Sequence, residues 1–300
     1  MKRKTLALVL FALVSAVGAE TRDEAKFSEE AEATATQLME RIEAEIAAAP
    51  NHPWAGLYRK GDGLSVNVSL WLAPNAGYVF EWYGCLGLYD RNYGGVAESN
   101  GVIRLSFTFA NERKGIGIAD EFIPVAWGER LYLIPPDKMV KFCNDFNSGS
   151  MNLPPIRGHG LHLLRADGKA KEGSGLPEVP EAWRSCVLAE PITAAITEVG
   201  ETTRRPSTQD WEFVDIAVTV DAGKDKGVFK GMELYVVKPK TMTPLTVTEV
   251  GDTTSQAVLT RIGKDGSKPP PQIGWELSTQ RWSDADFATL RGLLTRDETH

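Results

Sequence analysis

Between positions 78 and 91 the chain gathers residue types that could do chemistry. Glu81 and Asp90, with Glu98 just beyond, are carboxylates set among Tyr78, Phe80, Trp82, Tyr83 and Tyr89. Two carboxyl groups can act as acid and base when burial raises the pKa of one of them, and the aromatic surroundings of Glu81 suit that. Asp90-Arg91-Asn92 reads more simply as a turn whose Asp and Asn side chains bond their own backbone. Cys85 stands beside Gly84 and near Gly87. A nucleophilic thiol needs a His or another group that stabilises the thiolate, and the sequence puts none next to it. The plainer expectation is a small buried hydrophobe on the strand face of Glu81 and Tyr83, or a bridge to Cys143 or Cys186. Aromatics in a β-meander are mostly core. A few left exposed would form a stacking platform for a sugar or an apolar ligand. Tyr78, Glu81, Trp82, Tyr83, Asp90 and Arg91 are therefore the expected ligand surface, with Glu81 and Arg91 as its polar anchors.

Metal and cofactor chemistry finds less support. Of the four histidines, His52 follows a helix and His300 is terminal. His159 and His162 are three apart in an expected strand, so they point to opposite faces and would not share a metal. No HExxH, phosphate-loop or GxSxG pattern occurs. Gly115-Ile116-Gly117 opens no helix, and Asp221-Ala222-Gly223 with Gly227 and Gly231 reads as corner punctuation between strands. Neither a metal nor a cofactor is expected.

The elements that position these residues follow from periodicity. Residues 23–48 read as a helix with Phe27, Ala31, Ala35, Leu38, Ile42 and Ile46 on one side, ended by Pro50. From Trp54 the period becomes 2. Strands are predicted at 64–72, 78–85, 103–109 and 130–134, with turns at Pro74-Asn75-Ala76-Gly77, Asn92-Tyr93-Gly94-Gly95 and Ser99-Asn100-Gly101. A short helix begins after Pro135-Pro136-Asp137, with Met139, Val140, Phe142, Cys143 and Phe146 as its apolar stripe. A last strand is expected at 159–165. Strands joined by short turns imply an antiparallel meander or barrel over residues 51–165. Residues 166–190 read as a linker with a helical turn near Trp183. Six short strands within 191–282 predict a second, small barrel, and Ser283 caps a helical tail over 283–300. The expected class is mainly β with flanking helices (α+β).

Residues 1–19 carry a basic start (Lys2, Arg3, Lys4), an apolar run over 6–17, and Val17-Gly18-Ala19. This pattern predicts a signal peptide cleaved after Ala19, ahead of the helix region at 20–50. The run is short of the ~20 apolar residues that a permanent span needs. No Cys lies near the cleavage point, so no lipid anchor is expected. The chain would then be periplasmic or secreted, with no integral membrane segment after cleavage. A formal net charge of −7 over 300 residues, without a long basic run, argues against nucleic acid as a partner. The three cysteines form no CxxC, and their odd number leaves at least one outside any internal bridge.

Two resemblances add to this. Trp54-Ala55-Gly56-Leu57-Tyr58, Gly61-Asp62-Gly63-Leu64 and the run Phe80–Asn92 resemble a group of uncharacterised exported bacterial proteins over residues 54–165. Gly223, Gly227-Val228 and Gly231-Met232-Glu233-Leu234 are similar to small β-barrel modules at the C-termini of some cell-envelope and flagellar-assembly proteins. Together they imply an exported, non-catalytic binding or assembly protein whose partner is an envelope protein or a small ligand. The alternative expectation is a secreted hydrolase using Glu81 or Asp90, or Cys85 as nucleophile.

Overall fold

The structure is a computed structural model. It describes residues 24–281, apart from 64–65, 112–116, 153–159, 169–170, 172, 207–211, 240–243 and 264–269. The expected signal peptide, His159, Gly115-Ile116 and the tail after Ser283 lie outside the described residues.

The fold is mainly β and contains two closed barrels. The first has eight strands: β1 (Gly56–Gly61), β2 (Asn67–Ala73), β3 (Gly77–Gly84), β4 (Gly87–Ser99), β5 (Val102–Phe107), β6 (Glu121–Trp127), β7 (Arg130–Ile134) and β8 (Gly160–Arg165). Each pairs antiparallel with the next, and β8 closes on β1 through Tyr58 opposite Arg165. Alternation sends Tyr58, Leu70, Leu72, Tyr78, Phe80, Ile103, Leu105, Phe122, Leu133 and Leu163 into the barrel.

Several expectations need correction. Asn92–Gly95 is not a turn but the middle of the long strand β4. Its glycines serve close strand approach: a Cβ on Gly94 would collide with the Ser106 carbonyl oxygen. Asp90-Arg91-Asn92 likewise lies in β4, and all three residues are buried. Strand β1 precedes the first predicted strand, and β4 and β6 fall between predicted ones. In β6 both faces are covered, so period 2 is blurred: Phe122 faces the barrel core, while Ile123, Val125 and Trp127 join an outer cluster. The turn at Ser99-Asn100-Gly101 does form, with φ of 54° at Asn100 and 75° at Gly101.

Helix α1 (Glu29–Ala48) starts at Ser28, whose hydroxyl accepts from the Ala31 N–H at 3.1 Å. Its Ala35 and Ile42 pack on Ala73 and Val79, on the outer face of β2 and β3. Glu45 pins the β2–β3 turn by accepting from Asn75 N, Asn75 Nδ2 and Ala76 N. Burial opposes the charged form of Glu45, but these hydrogen bonds win and hold its carboxyl below the usual range.

Helix α2 (Met139–Asn147) lies between the two barrels. Met139, Phe142 and Cys143 pack with Ile123, Val125, Tyr132 and Ile134 against the outside of the first barrel. From the same helix Asn144 reaches the second barrel. Its Nδ2 donates to Gly231 O at 2.8 Å, and its Oδ1 accepts from Glu233 N at 3.2 Å. The connector is also packed, with Val179 and Cys186 buried and Glu178 N donating to Ala126 O.

The second barrel has β9 (Thr193–Pro206), β10 (Glu212–Val220), β11 (Glu233–Lys238), β12 (Pro244–Val250), β13 (Ser255–Gly263) and β14 (Glu276–Ser278). They run in the ring order β10-β13-β12-β11-β14-β9, closed between β9 and β10. Ile196, Val218, Val220, Met232, Leu234, Leu245, Val247, Leu259 and Leu277 fill its interior.

Candidate ligand site at the mouth of the first barrel

The predicted ligand residues do not share one site. Tyr78 is fully buried inside the barrel, where its hydroxyl bonds Asn92 Oδ1 at 3.3 Å. Burial pushes the Tyr78 phenol far above its ordinary pKa, and Asp90 adds to this. Glu81 and Arg91 face each other across β3 and β4 and form a buried pair, Arg91 Nη2 to Glu81 Oε1 at 2.7 Å. Tyr83 lies beside them and stays exposed. Asp90 is paired with Lys26 at 3.3 Å, and both residues are buried. Trp82 packs against the barrel core, and its indole N–H is buried with no hydrogen-bond partner among the described residues. Glu81 and Asp90 are thus each engaged by a cation within the fold.

Cys85 is a further correction. It lies in the β3–β4 turn, not on a strand face, and it is exposed. Cys143 and Cys186 are buried, and none of the three cysteines is in a disulfide. The turn needs Gly87 at φ 99°, so the strand ends at Gly84 and carries the thiol outward.

An unpredicted cleft opens at one end of the first barrel. In an up-and-down barrel, the end of β1, start of β2, end of β3, start of β6, end of β7 and start of β8 meet at the same end. Lys60, Val68, Phe122, Leu133 and Leu161–Leu163 stand there, and together with Phe80 from the middle of β3 they line a cleft of about 500 Å³. Ile118 and Ala119 from the β5–β6 connection, and Pro135, Asp137, Lys138 and Lys141 from the approach to α2 and α2 itself, complete its wall. The volume lies within the range typical of small-molecule sites, roughly 300–1,000 Å³. The inner wall is apolar and the rim is cationic.

The rim has an internal order. Asp145 on α2 is buried and holds two groups at once, His162 Nε2 at 2.8 Å and Lys141 Nζ at 2.9 Å. Burial pushes its carboxyl up, yet the bonds from His162 and Lys141 pull it further down, so it stays below the usual range. Phe142 packs edge-on against the His162 ring at 5.2 Å. Lys138 pairs with its neighbour Asp137 at 2.7 Å on the exposed surface. Lys60 forms no ion pair with any described residue. Its pKa is lowered, first by desolvation of its ammonium and then by the charges of Lys138 and Lys141.

Chemically, this arrangement can hold a small molecule by its apolar part and offer cations to a polar end. His162 is oriented by a carboxylate, but Asp145 is its one hydrogen-bond partner among the described residues. His52 is structural, its Nδ1 accepting from Ala55 N at 3.0 Å. Among the described residues no group of three or more His, Cys, Asp or Glu is placed to hold a metal. No described helix is long and apolar enough to cross a membrane.

The sequence carried one readable sign of this cleft, the apolar-to-Lys ending of β1 at Leu57-Tyr58-Arg59-Lys60. Lys138, Lys141 and His162 come together only when the barrel closes. No family model matches the chain, and no curated protein or solved structure matches it either.

Proposed function

We propose that this chain is an exported, non-catalytic binding protein of the cell envelope. Its first barrel takes a small ligand at the mouth, and its second barrel is the platform that presents it. The observation that carries this reading is the cleft of about 500 Å³, with apolar walls from Phe80, Phe122 and Leu133 and a polar rim. Export is supported by the basic and apolar pattern of residues 1–19. The acidic residues favoured at first, Glu81 and Asp90, are held in buried ion pairs and line none of this cleft.

The test uses protein recovered from the periplasm or the medium, whose N-terminus is expected at Glu20. It is titrated with the uncharged fluorescent probe N-phenyl-1-naphthylamine. Saturable binding by the native protein, and at least tenfold weaker binding by Val68→Trp, which fills the mouth, is the expected result. Absence of binding, or equal binding by both proteins, would overturn the mouth as the ligand site. Recovery of the uncleaved chain from the cytoplasm alone would overturn export.

A further inference from the structure

The chemical class of the ligand can be read from the rim, on the assumption that the mouth is the ligand site. We propose that the mouth takes a single-chain anionic amphiphile, with its hydrocarbon part against Phe80, Phe122 and Leu133 and its carboxylate on Lys60. Lys138 and Lys141 stand close enough to add to the same field.

Three observations carry this. The first is shape and polarity: an apolar barrel end leads out to a rim that bears three ammonium groups. A ligand that matches it has one long apolar part and one negative end. The second is the charge balance within the rim. Lys141 is matched by Asp145 and Lys138 by Asp137, at 2.9 and 2.7 Å. Lys60 has no carboxylate among the described residues. By register it sits opposite Val68, two residues along from the buried Tyr58, where β1 reaches the open end of the barrel and the Lys60 side chain is exposed. Its ammonium therefore keeps water, and what an anion adds there is relief of the repulsion from the two neighbouring lysines at the edge of an apolar wall. The third is its electrostatic state. Partial desolvation, and then the charges of Lys138 and Lys141, lower the pKa of Lys60, so an anion placed among the three lysines would be drawn to all of them.

A neutral chain of equal length would meet the same walls without relieving the charge. A short anion would relieve the charge but bury little apolar area. Discrimination should therefore need both parts of the ligand, and added salt should weaken only the charged part.

The experiment compares decanoate, decanol and acetate on the full mature protein by calorimetry or by displacement of N-phenyl-1-naphthylamine. Decanoate is expected to bind at least tenfold more tightly than either decanol or acetate. Lys60→Met should remove most of its advantage over decanol, whereas Lys60→Arg should keep it. Unchanged near-ultraviolet circular dichroism confirms that each variant is folded. Equal affinity for decanoate and decanol, or an advantage that survives in Lys60→Met, would overturn the anionic class and leave the mouth standing as a site for neutral ligands. Binding of the fluorescent probe without binding of decanoate would overturn it too. Failure of all ligands, the probe included, would instead overturn the mouth itself.

Discussion

The two barrels solve closure differently. With six strands, the second is narrow enough for aliphatic side chains such as Val218, Leu234, Leu245 and Leu259 to fill. With eight, the first reaches the width at which an interior can be filled or can keep room for one small ligand. Tyr58, Tyr78 and Phe80 fill its middle, while the end marked by Lys60, Phe122 and Leu133 stays open as a cleft. Strand number thus separates the two roles. The narrow barrel gives a filled body, and the wide one gives a body with a mouth. Helix α2 joins the two, since it packs on the wide barrel, clamps the narrow one through Asn144, and lends Lys141 to the rim.

The sharpest way to break this contrast is a cavity in the narrow barrel. Leu259→Ala should cost about 2–5 kcal/mol, seen as lost hydrogen-exchange protection in β10, β12 and β13. Protection in β2 and β3 should hardly change; equal loss in both barrels would show that they unfold as one unit. A smaller effect is expected at the clamp. Asn144→Ala leaves Gly231 O and Glu233 N without their partner, at a cost of roughly 1–3 kcal/mol. It should release the Glu233 amide to faster hydrogen exchange while the interiors of both barrels stay protected, and an unchanged Glu233 rate would contradict the clamp.

The smallest effect is the acid dependence of the rim. Asp145 has its carboxyl pKa lowered by folding. Its stabilisation is therefore present above the unfolded value of about 3.9 and is lost as pH falls through the folded value. Urea midpoints measured from pH 5 downward should fall more steeply for the native protein than for Asp145→Asn. Parallel slopes would mean that the His162–Asp145–Lys141 cluster contributes no pH-dependent stability.

Much of the fold was legible from local pattern. The second barrel is the clearest case: one inward face per short strand gives clean alternation, as in Val214 to Val220, and a strand stands at each of the six expected places, although β9 runs on to Pro206, beyond the expected end at Val199. Helix α2 was readable for a similar reason, because Met139, Phe142, Cys143 and Phe146 repeat at helical spacing. Reading failed where a strand is covered on both sides, as at β6. It also failed where glycines that permit close strand packing imitate a turn, as at Gly94-Gly95. Asp90 and Asn92 misled for a related reason, since turn-forming side chains can also bond partners far away. Asn92 Oδ1 accepts from Tyr93 N at 3.0 Å and from Thr108 N at 3.2 Å, and so ties β4 to the chain beyond β5. The cleft was the least legible part. Lys60 and His162 are 102 positions apart, with Lys138 and Lys141 between them, and no local pattern records that the ends of β1 and β7 and the start of β8 coincide.

The burial of Cys143 and Cys186 against α2 and the connector has a consequence for chemical durability. Thiolates, not thiols, attack disulfides and react with oxidants. Burial, with Cys186 nearby, pushes the Cys143 thiol up to about 12, and burial also raises Cys186. At neutral pH both are held almost wholly as the inert, protonated form. Even under oxidising conditions this packing between connector and helix would slow disulfide formation by the pair, because it withholds the thiolate that the reaction needs.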